Sequence, residues 1–178
     1  MLLDLTLIRE PRERFEQTWP AAALDTSGDD FTIVEPITLA MDIQKLGEKY
    51  RLTGVAKTVL ELACSRCLEP FRFPVDALFD LTYLPQAQNT GEGEIEIGGD
   101  DLGTAWYREE AIDLGELLRE QFNLALPMKP LCREDCRGLC PACGTNLNVD
   151  SCDCRPAWRD PRLAGLTRFL APSAEGDR

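Results

Sequence analysis

Eight cysteines and no histidine are the feature that most restricts how this chain of 178 residues can fold. Cys140 and Cys143 form a C-x2-C pair, and Cys152 and Cys154 form a C-x-C pair a short distance further on. Four thiolates in so short a segment suit a tetrahedral ion that prefers sulfur ligands. An iron–sulfur cluster uses the same ligands, but the tight Cys-Pro-Ala-Cys-Gly turn favours zinc. We therefore predict a zinc knuckle in this segment.

The other four cysteines form two pairs that are far apart in the sequence, Cys64 with Cys67 and Cys132 with Cys136. In the simplest arrangement these two pairs bind a second ion together, so we predict two zinc ions per chain. Both would be structural, because each would have four protein ligands and no open coordination position. A competing arrangement joins the second pair to the C-x2-C pair of the knuckle. It leaves the first pair as two neighbouring thiols.

A redox role for the first pair is the alternative function, since Arg66 could stabilise a thiolate of Cys64 or Cys67. Thioredoxin-like motifs, however, open a helix in a βαβ unit, whereas this motif is predicted to join two strands. The absence of histidine also excludes catalytic arrangements that pair a cysteine or serine with an imidazole. We therefore expect no enzyme, and a thiol-disulfide oxidoreductase or redox-sensing protein is the alternative.

The opening segment, MLLDLTLIRE, does not resemble a signal peptide, because Asp4 interrupts its apolar run and no basic residue leads it. The sequence contains no stretch near the roughly 18 apolar residues that a transmembrane helix needs. We expect a cytoplasmic protein, in which clustered cysteines are more often metal ligands than disulfides. A secreted scaffold held by disulfides is the alternative.

Two long strands are predicted between Tyr50 and Tyr83, with the first cysteine pair in the turn that joins them. Residues 71–83 carry an apolar side chain at every second position, which is typical of a strand with one buried face. The apolar pattern of the first strand slips near Gly54, which favours a β-bulge. Pro74 has no N–H, so the second strand is expected at a sheet edge, or with this proline at a non-pairing position.

Further strands of the same sheet are predicted at the alternating leucines of residues 3–7 and in the run from 31 to 41. A helix is predicted over residues 113–126. Asp113 is a good N-cap, and Glu116 follows three residues later as in a capping box.

These elements predict an α+β fold, with an antiparallel sheet or partly open barrel, one main packed helix and a small C-terminal zinc-knuckle module. We expect a β-rich domain over residues 1–128 that includes the hairpin 50–83 and the helix 113–126. A cysteine-rich zinc-binding module follows over residues 129–158. A basic and then disordered tail is expected over residues 159–178.

The net charge of -12 is distributed unevenly along the chain. Residues 1–128 hold 11 basic and 24 acidic side chains, whereas residues 129–178 hold 8 basic and 7 acidic ones. Five acids lie in a polar, glycine-rich segment that we read as a loop: Glu92, Glu94, Glu96, Asp100 and Asp101. Seven basic residues characterise the C-terminal part: Lys129, Arg133, Arg137, Arg155, Arg159, Arg162 and Arg168. Each set can be a solvated surface or can contact a partner of opposite charge.

Three motifs occur in order along the chain: LACSRCLEPF at residues 62–71, LALPMKPLC at 124–132 and EDCRGLCPACGTNLN at 134–148. Together they closely resemble the YceD-like proteins of bacteria and plastids, over a range from about residue 54 to residue 154. The resemblance implies a cytoplasmic, non-enzymatic factor that supports the accumulation of large-subunit ribosomal RNA. Its partners would be the large-subunit precursor, ribosomal RNA or a ribosomal protein, with no membrane and no small-molecule substrate.

The distribution of charge is compatible with two ways in which such an acidic chain could bind a ribosomal particle. The seven basic residues could touch RNA, although each four-thiolate zinc site would add about two negative charges nearby. Alternatively, the five acids could hold a basic ribosomal protein by charge complementarity. A net charge of -12 disfavours non-specific binding to phosphates, so protein contact is the favoured interpretation.

Overall fold

The computed structural model describes residues 1–86 and 103–154. Its strands are β1 (Leu2–Asp4), β2 (Arg12–Trp19), β3 (Phe31–Ile33), β4 (Ile37–Leu46), β5 (Lys49–Ala63), β6 (Pro70–Pro85), β7 (Thr104–Tyr107) and β8 (Ala111–Asp113), and its helix is α1 (Leu114–Ala125). Two short 3-10 helices span Leu5–Leu7 and Ala21–Ala23. The acidic segment around Glu92 and the tail from Arg155 onward lie outside the described residues.

The main sheet has the order β2-β4-β5-β6-β7, and β3 also pairs with β5. All of its pairs are antiparallel except β6 with β7, which is parallel. In the described part of the chain β2 and β7 end this sheet without pairing with each other, so the sheet is open. The prediction of a mainly antiparallel sheet with one helix is confirmed.

The N-terminal leucines do not join the main sheet, contrary to the prediction. β1 pairs with β8 in a separate two-stranded sheet. After Leu3 the chain turns into the first 3-10 helix, because the Asp4 side chain accepts a hydrogen bond from the N–H of Thr6 at 2.9 Å. Leu5 is buried, and Leu7 is exposed.

The β5–β6 hairpin is regular and carries the first cysteine pair in its turn. Its register runs without interruption from Tyr50 opposite Tyr83 to Ala63 opposite Pro70. Pro74 is tolerated because, within the described residues, the other side of β6 is paired only from Thr82 to Pro85. β6 lies between β5 and β7 and is therefore not the edge strand of the sheet, but Pro74 lies in the part of it that has a partner strand on one side only.

The predicted bulge at Gly54 is wrong. The even-numbered positions of β5 face the core throughout, and Val55 and Val59 lie on the opposite face. The apolar pattern slips because small residues occupy the core face here. A Cβ at Gly54 would lie 2.4 Å from the carbonyl oxygen of Ala40 and 2.5 Å from the Cβ of Met41, so glycine allows close approach of β4.

α1 covers the core side of the sheet. Phe122 is fully buried and packs edge-to-face against Phe31, with ring centroids 6.4 Å apart. The helix begins as predicted, because the Asp113 carboxylate accepts hydrogen bonds from the N–H groups of Gly115 at 2.7 Å and Glu116 at 3.3 Å. In the described residues, no helix is long and apolar enough to span a membrane.

The N-cap gives the first testable prediction. Asp113→Ala removes both hydrogen bonds to the first turn of α1 and should lower the free energy of unfolding by about 1 kcal/mol. Urea denaturation followed by circular dichroism measures this change. Asp76→Ala is the control, because this exposed carboxylate has only a surface ion pair with Lys57 at 3.4 Å. An equal loss in both variants would contradict the assigned role of the cap.

Candidate metal centres

The first group of four cysteines joins the tip of the β5–β6 hairpin to the segment that follows α1. Cys64 and Cys67 come from the hairpin, and Cys132 and Cys136 come from the other segment. Backbone contact holds the two parts together, since the N–H of Ser65 donates to the carbonyl oxygen of Pro130 at 2.8 Å. We call this group the first tetrad.

Sulfur geometry in the first tetrad fits a tetrahedral ion. The four sulfur atoms all lie within 4.8 Å of one another. The Sγ atoms of Cys64 and Cys136 are 3.8 Å apart, and those of Cys67 and Cys132 are also 3.8 Å apart. Zinc–sulfur bonds of about 2.3 Å in a regular tetrahedron place the sulfurs about 3.8 Å from each other. The donor set therefore has both the chemistry and the spacing that Zn²⁺ requires.

The second tetrad is a local knuckle formed by Cys140, Cys143, Cys152 and Cys154, whose sulfurs also lie within 4.8 Å of one another. Its turn closes with a hydrogen bond from the N–H of Gly144 to the carbonyl oxygen of Cys140 at 2.9 Å. Gly144 has a φ of 76°, a left-handed conformation that glycine adopts without strain. The N–H of Ala142 points at the Cys140 sulfur from 3.5 Å.

The eight cysteines are thus brought together in the grouping that the sequence favoured, and none forms a disulfide. The competing group, in which the pair Cys132 and Cys136 shares an ion with Cys140 and Cys143, is not found. Burial differs between the tetrads. In the first, Cys64, Cys67 and Cys136 are buried and Cys132 is exposed, whereas in the second only Cys140 is buried.

The pKa values of the cysteine thiols in the first tetrad differ widely. Burial raises the pKa of the Cys64 thiol, but hydrogen bonds from the backbone N–H groups of Cys132, Cys67 and Arg66 outweigh burial and bring the pKa to about 6. Burial, together with hydrogen bonds shared with Cys64 and Cys136, raises the pKa of Cys132 to about 12. Four adjacent thiols cannot all ionise without a compensating charge. A divalent cation would supply that charge.

The second tetrad shows the same divergence. The hydroxyl of Thr145, 3.1 Å from the Cys143 sulfur, and the N–H of Thr145 lower the pKa of Cys143 to about 6. The hydrogen bond and the charge of the Cys143 thiolate raise the pKa of Cys154 to about 12. Metal binding at either tetrad would therefore displace protons, and acid would oppose it.

Asn148 connects the two tetrads. It lies between Cys143 and Cys152 in the sequence, yet its side-chain N–H donates to the sulfur of Cys136 in the first tetrad at 3.3 Å. Its side-chain oxygen accepts from the N–H of Arg137 at 2.8 Å and from the Arg133 guanidinium at 2.8 Å. The spacing of the cysteines gives no sign of this contact. The structure instead places it as an outer hydrogen-bond partner of a candidate ligand.

Arg66 supports the backbone around the first tetrad. Its guanidinium donates to the carbonyl oxygen of Cys136 at 2.7 Å and to that of Glu134 at 3.2 Å, and these are its hydrogen-bond acceptors in the described residues. Its own carbonyl oxygen accepts from the N–H of Leu139 at 3.0 Å. Gly138 packs closely against this carbonyl oxygen. A Cβ at this position would lie 2.9 Å from the oxygen, so a residue with a side chain would clash with it.

Three of the seven predicted basic contact residues are described. Lys129, Arg133 and Arg137 are exposed in the segment that carries the first tetrad. Arg133 also lies 3.5 Å from the Asp135 carboxylate. The other four lie outside the described residues: Arg155, Arg159, Arg162 and Arg168. The five acids at 92, 94, 96, 100 and 101 are also outside them.

The fold and the site define a small β-rich protein with two four-cysteine centres, one of which joins the hairpin tip to the segment that follows α1. The family model described as "Large ribosomal RNA subunit accumulation protein YceD" matches residues 52–170. The chain belongs to the YceD family. No solved structure matches it.

Several curated relatives are similar to this chain. A Zea mays protein, named large ribosomal RNA subunit accumulation protein YCED homolog 1, chloroplastic, is 30% identical over 68% of this chain and 49% of its own length. The Arabidopsis thaliana protein of the same name is 27% identical over 74% of this chain and 47% of its own length. An uncharacterized protein of Mycobacterium tuberculosis is 34% identical over 78% of this chain and 64% of its own length. The chain thus spans about half to two thirds of these relatives.

Proposed function

We propose that this chain is a non-enzymatic, zinc-binding protein that supports the accumulation of large-subunit ribosomal RNA, through processing of that RNA or assembly of the subunit. Membership of the YceD family and the names of the maize and Arabidopsis relatives support the biological role. The two tetrads support the zinc. The observation that carries the proposal is the pair of 3.8 Å sulfur separations across the hairpin and the C-terminal segment.

Zinc would act structurally at both tetrads. Bound there, it would supply positive charge that keeps the thiolates ionised and would leave no coordination position for substrate. Other residues of the chain position the ligands. Arg66 and Pro130 hold the hairpin tip and the segment after α1 together, and Asn148 orients Cys136. This arrangement supports a β-rich domain over 1–128 followed by a zinc-binding module over 129–158; the proposed basic tail over 159–178 lies outside the described residues.

The proposed partners are a precursor of the large subunit, its RNA or a basic ribosomal protein, met in the cytoplasm. Lys129, Arg133 and Arg137 are exposed in the segment after α1 and could contact a phosphate backbone with the arginines of the tail. The acids of residues 92–101 suit a basic protein instead. We favour protein contact, because the net charge of -12 repels RNA.

Depletion of the protein from the cells that make it tests this function. We expect large-subunit RNA to fall relative to small-subunit RNA, measured by quantitative hybridisation and gradient sedimentation. The wild-type chain should restore the ratio, and Cys64→Ser/Cys67→Ser should fail to restore it when expressed at the same level. An unchanged ratio after depletion would refute the proposed role.

The redox alternative receives less support. Reactive cysteines are partly exposed, whereas Cys64 and Cys67 are 0% and 4% exposed. Arg66, which could have stabilised a thiolate, donates to backbone carbonyls of the neighbouring segment. A thiol titration and a disulfide reductase assay on the metal-loaded protein decide between the two. Rapid turnover of a disulfide substrate that is lost in Cys64→Ser would favour the alternative.

A further inference from the structure

An open groove of about 880 Å³ lies along β7, β8 and the first half of α1. None of the eight cysteines lines it. Three aromatic and four acidic side chains line it: Tyr83, Trp106, Tyr107, Glu109, Asp113, Glu116 and Glu120. Ligand pockets for small molecules are mostly apolar and concave. This groove is instead charged and open to solvent, which suits an extended polypeptide better.

The charge of the groove is negative and largely uncompensated. Among the described residues that line it, Arg108 is the only basic one. Asp113 already caps α1 and lies 3.8 Å from the amino group of Met1. Within the described residues, Glu109, Glu116 and Glu120 form no ion pair. Three carboxylates therefore face the groove with their charge available to a ligand.

Tyr83 adds a polar group to the groove that no described residue uses. Its side chain is among the buried residues, at 7% exposure, and it lines the groove. Among the described residues its hydroxyl has no hydrogen-bond partner. Burial, and then the charges of Glu120, Glu116 and Asp113, raise the pKa of Tyr83 to about 12, so it stays a neutral phenol. The hydroxyl is not among the buried side-chain oxygens that lack a partner, so it can donate to or accept from a molecule that enters the groove.

We propose that this groove binds a lysine- or arginine-rich segment of a partner protein. The three carboxylates would pair with its cationic side chains. The indole of Trp106, 38% exposed, offers a face for a guanidinium or an ammonium group. The Tyr83 hydroxyl can accept a hydrogen bond from either group. RNA is disfavoured because its phosphates would meet the same carboxylates.

This inference deepens the proposed function and rests on it for the idea that the partner belongs to the ribosome. It differs from the contact proposed for residues 92–101, because the residues that line the groove lie in β1, β6, β7, β8, α1 and the adjoining turns. Groove binding itself can be measured on the purified chain without any ribosome. Failure of the groove and failure of the ribosomal role are therefore separate results.

The test is titration of the metal-loaded, full-length protein with a fluorescent Arg-Gly repeat peptide and with its Gln-Gly counterpart. We expect only the first to bind, and Glu116→Gln/Glu120→Gln to weaken it about ten-fold. Glu13→Gln/Glu16→Gln is the control. It removes the same charge from β2, at the opposite end of the sheet. Thermal unfolding and metal content show whether each variant is folded.

A local readout comes from Trp106, one of three tryptophans. In the variant Trp19→Phe/Trp158→Phe, Trp106 is the only remaining tryptophan. Binding of the peptide to this variant should change the fluorescence emission of Trp106. Equal affinity in the groove variant and its control would overturn the proposal. It would also be overturned by loss of binding in Glu92→Gln/Glu94→Gln/Glu96→Gln without loss in the groove variant, or by an RNA oligonucleotide that binds the groove more tightly than the peptide.

Discussion

The Cys64→Ser substitution is expected to reduce the zinc content from two ions per chain to one and to loosen the segment from Pro130 to Leu139. Cys64 is fully buried and supplies one of the four sulfurs of the first tetrad. A serine hydroxyl does not replace a thiolate as a zinc ligand. Structural zinc in small peptides contributes about 10–16 kcal/mol of apparent binding free energy, so loss of the ion removes most of what holds this segment. Native mass spectrometry and hydrogen exchange measure the two effects.

Cys143→Ser is the matched control, because it removes one ligand from the other tetrad. It should also leave one ion, but the increase in exchange should be confined to residues 140–154. The contact between Ser65 and Pro130 should persist in it. Two ions retained by Cys64→Ser, or identical exchange patterns in the two variants, would contradict the assignment of separate sites.

The β-sheet should survive both substitutions. Its core is formed by side chains such as Leu39, Leu52, Leu60 and Phe122, all fully buried, and the sheet contributes no cysteine to that cluster. The cysteine-rich segment has little apolar core of its own, so it depends on metal more than the sheet does. Chelation should therefore release protection in residues 129–154 before the sheet unfolds. Simultaneous loss in both parts would show that they are one cooperative unit.

The elements that could be predicted from the sequence are those whose conformation is determined by their own residues. β6 alternates strictly because every second side chain faces the core, and the structure places Val75, Ala77 and Phe79 there. α1 begins at its N-cap because the Asp113 carboxylate acts within three residues of itself. In both cases the deciding interaction is local or repeats with the period of the element.

Elements that depend on distant partners were missed. β2 is a polar edge strand with mostly exposed residues, and its pairing with β4 is what makes it a strand. Gly54 looked like a bulge because the sequence does not show that Ala40 and Met41 press against it. The leucines of residues 3–7 alternate, yet a hydrogen bond from Thr6 to Asp4 turns the chain after β1.

The candidate metal sites also have a part that the sequence predicts and a part that depends on the fold. Spacing identified four cysteine pairs as half-sites, because a C-x-C, C-x2-C or C-x3-C pair can hold one edge of a tetrahedron by itself. The choice of partners for each pair depends on the fold, and here the hairpin tip reaches the segment after α1. Asn148 was missed because its contact with Cys136 crosses from one tetrad to the other. No spacing rule within the knuckle would reveal it.

Asn148→Ala should weaken zinc binding at the first tetrad about 10- to 100-fold, although the residue belongs to the loop of the second. The substitution removes the hydrogen bond to the Cys136 sulfur and leaves the N–H of Arg137 without its acceptor. The amide of Asn148 also lowers the pKa of Cys136 against the opposing effect of burial, so its loss makes this thiol harder to ionise. Competition with a chromophoric chelator gives the affinity of each ion.

Two further variants make this prediction specific. Val149→Ala truncates an exposed neighbour in the same turn and should leave both affinities unchanged. Asn148→Asp keeps the size of the side chain but replaces the donor with a carboxylate, which would repel the Cys136 thiolate, so its effect should equal or exceed that of alanine. If Asn148→Ala instead weakens only the second tetrad, or if Val149→Ala has the same effect, then Asn148 shapes its own loop and does not couple the two centres.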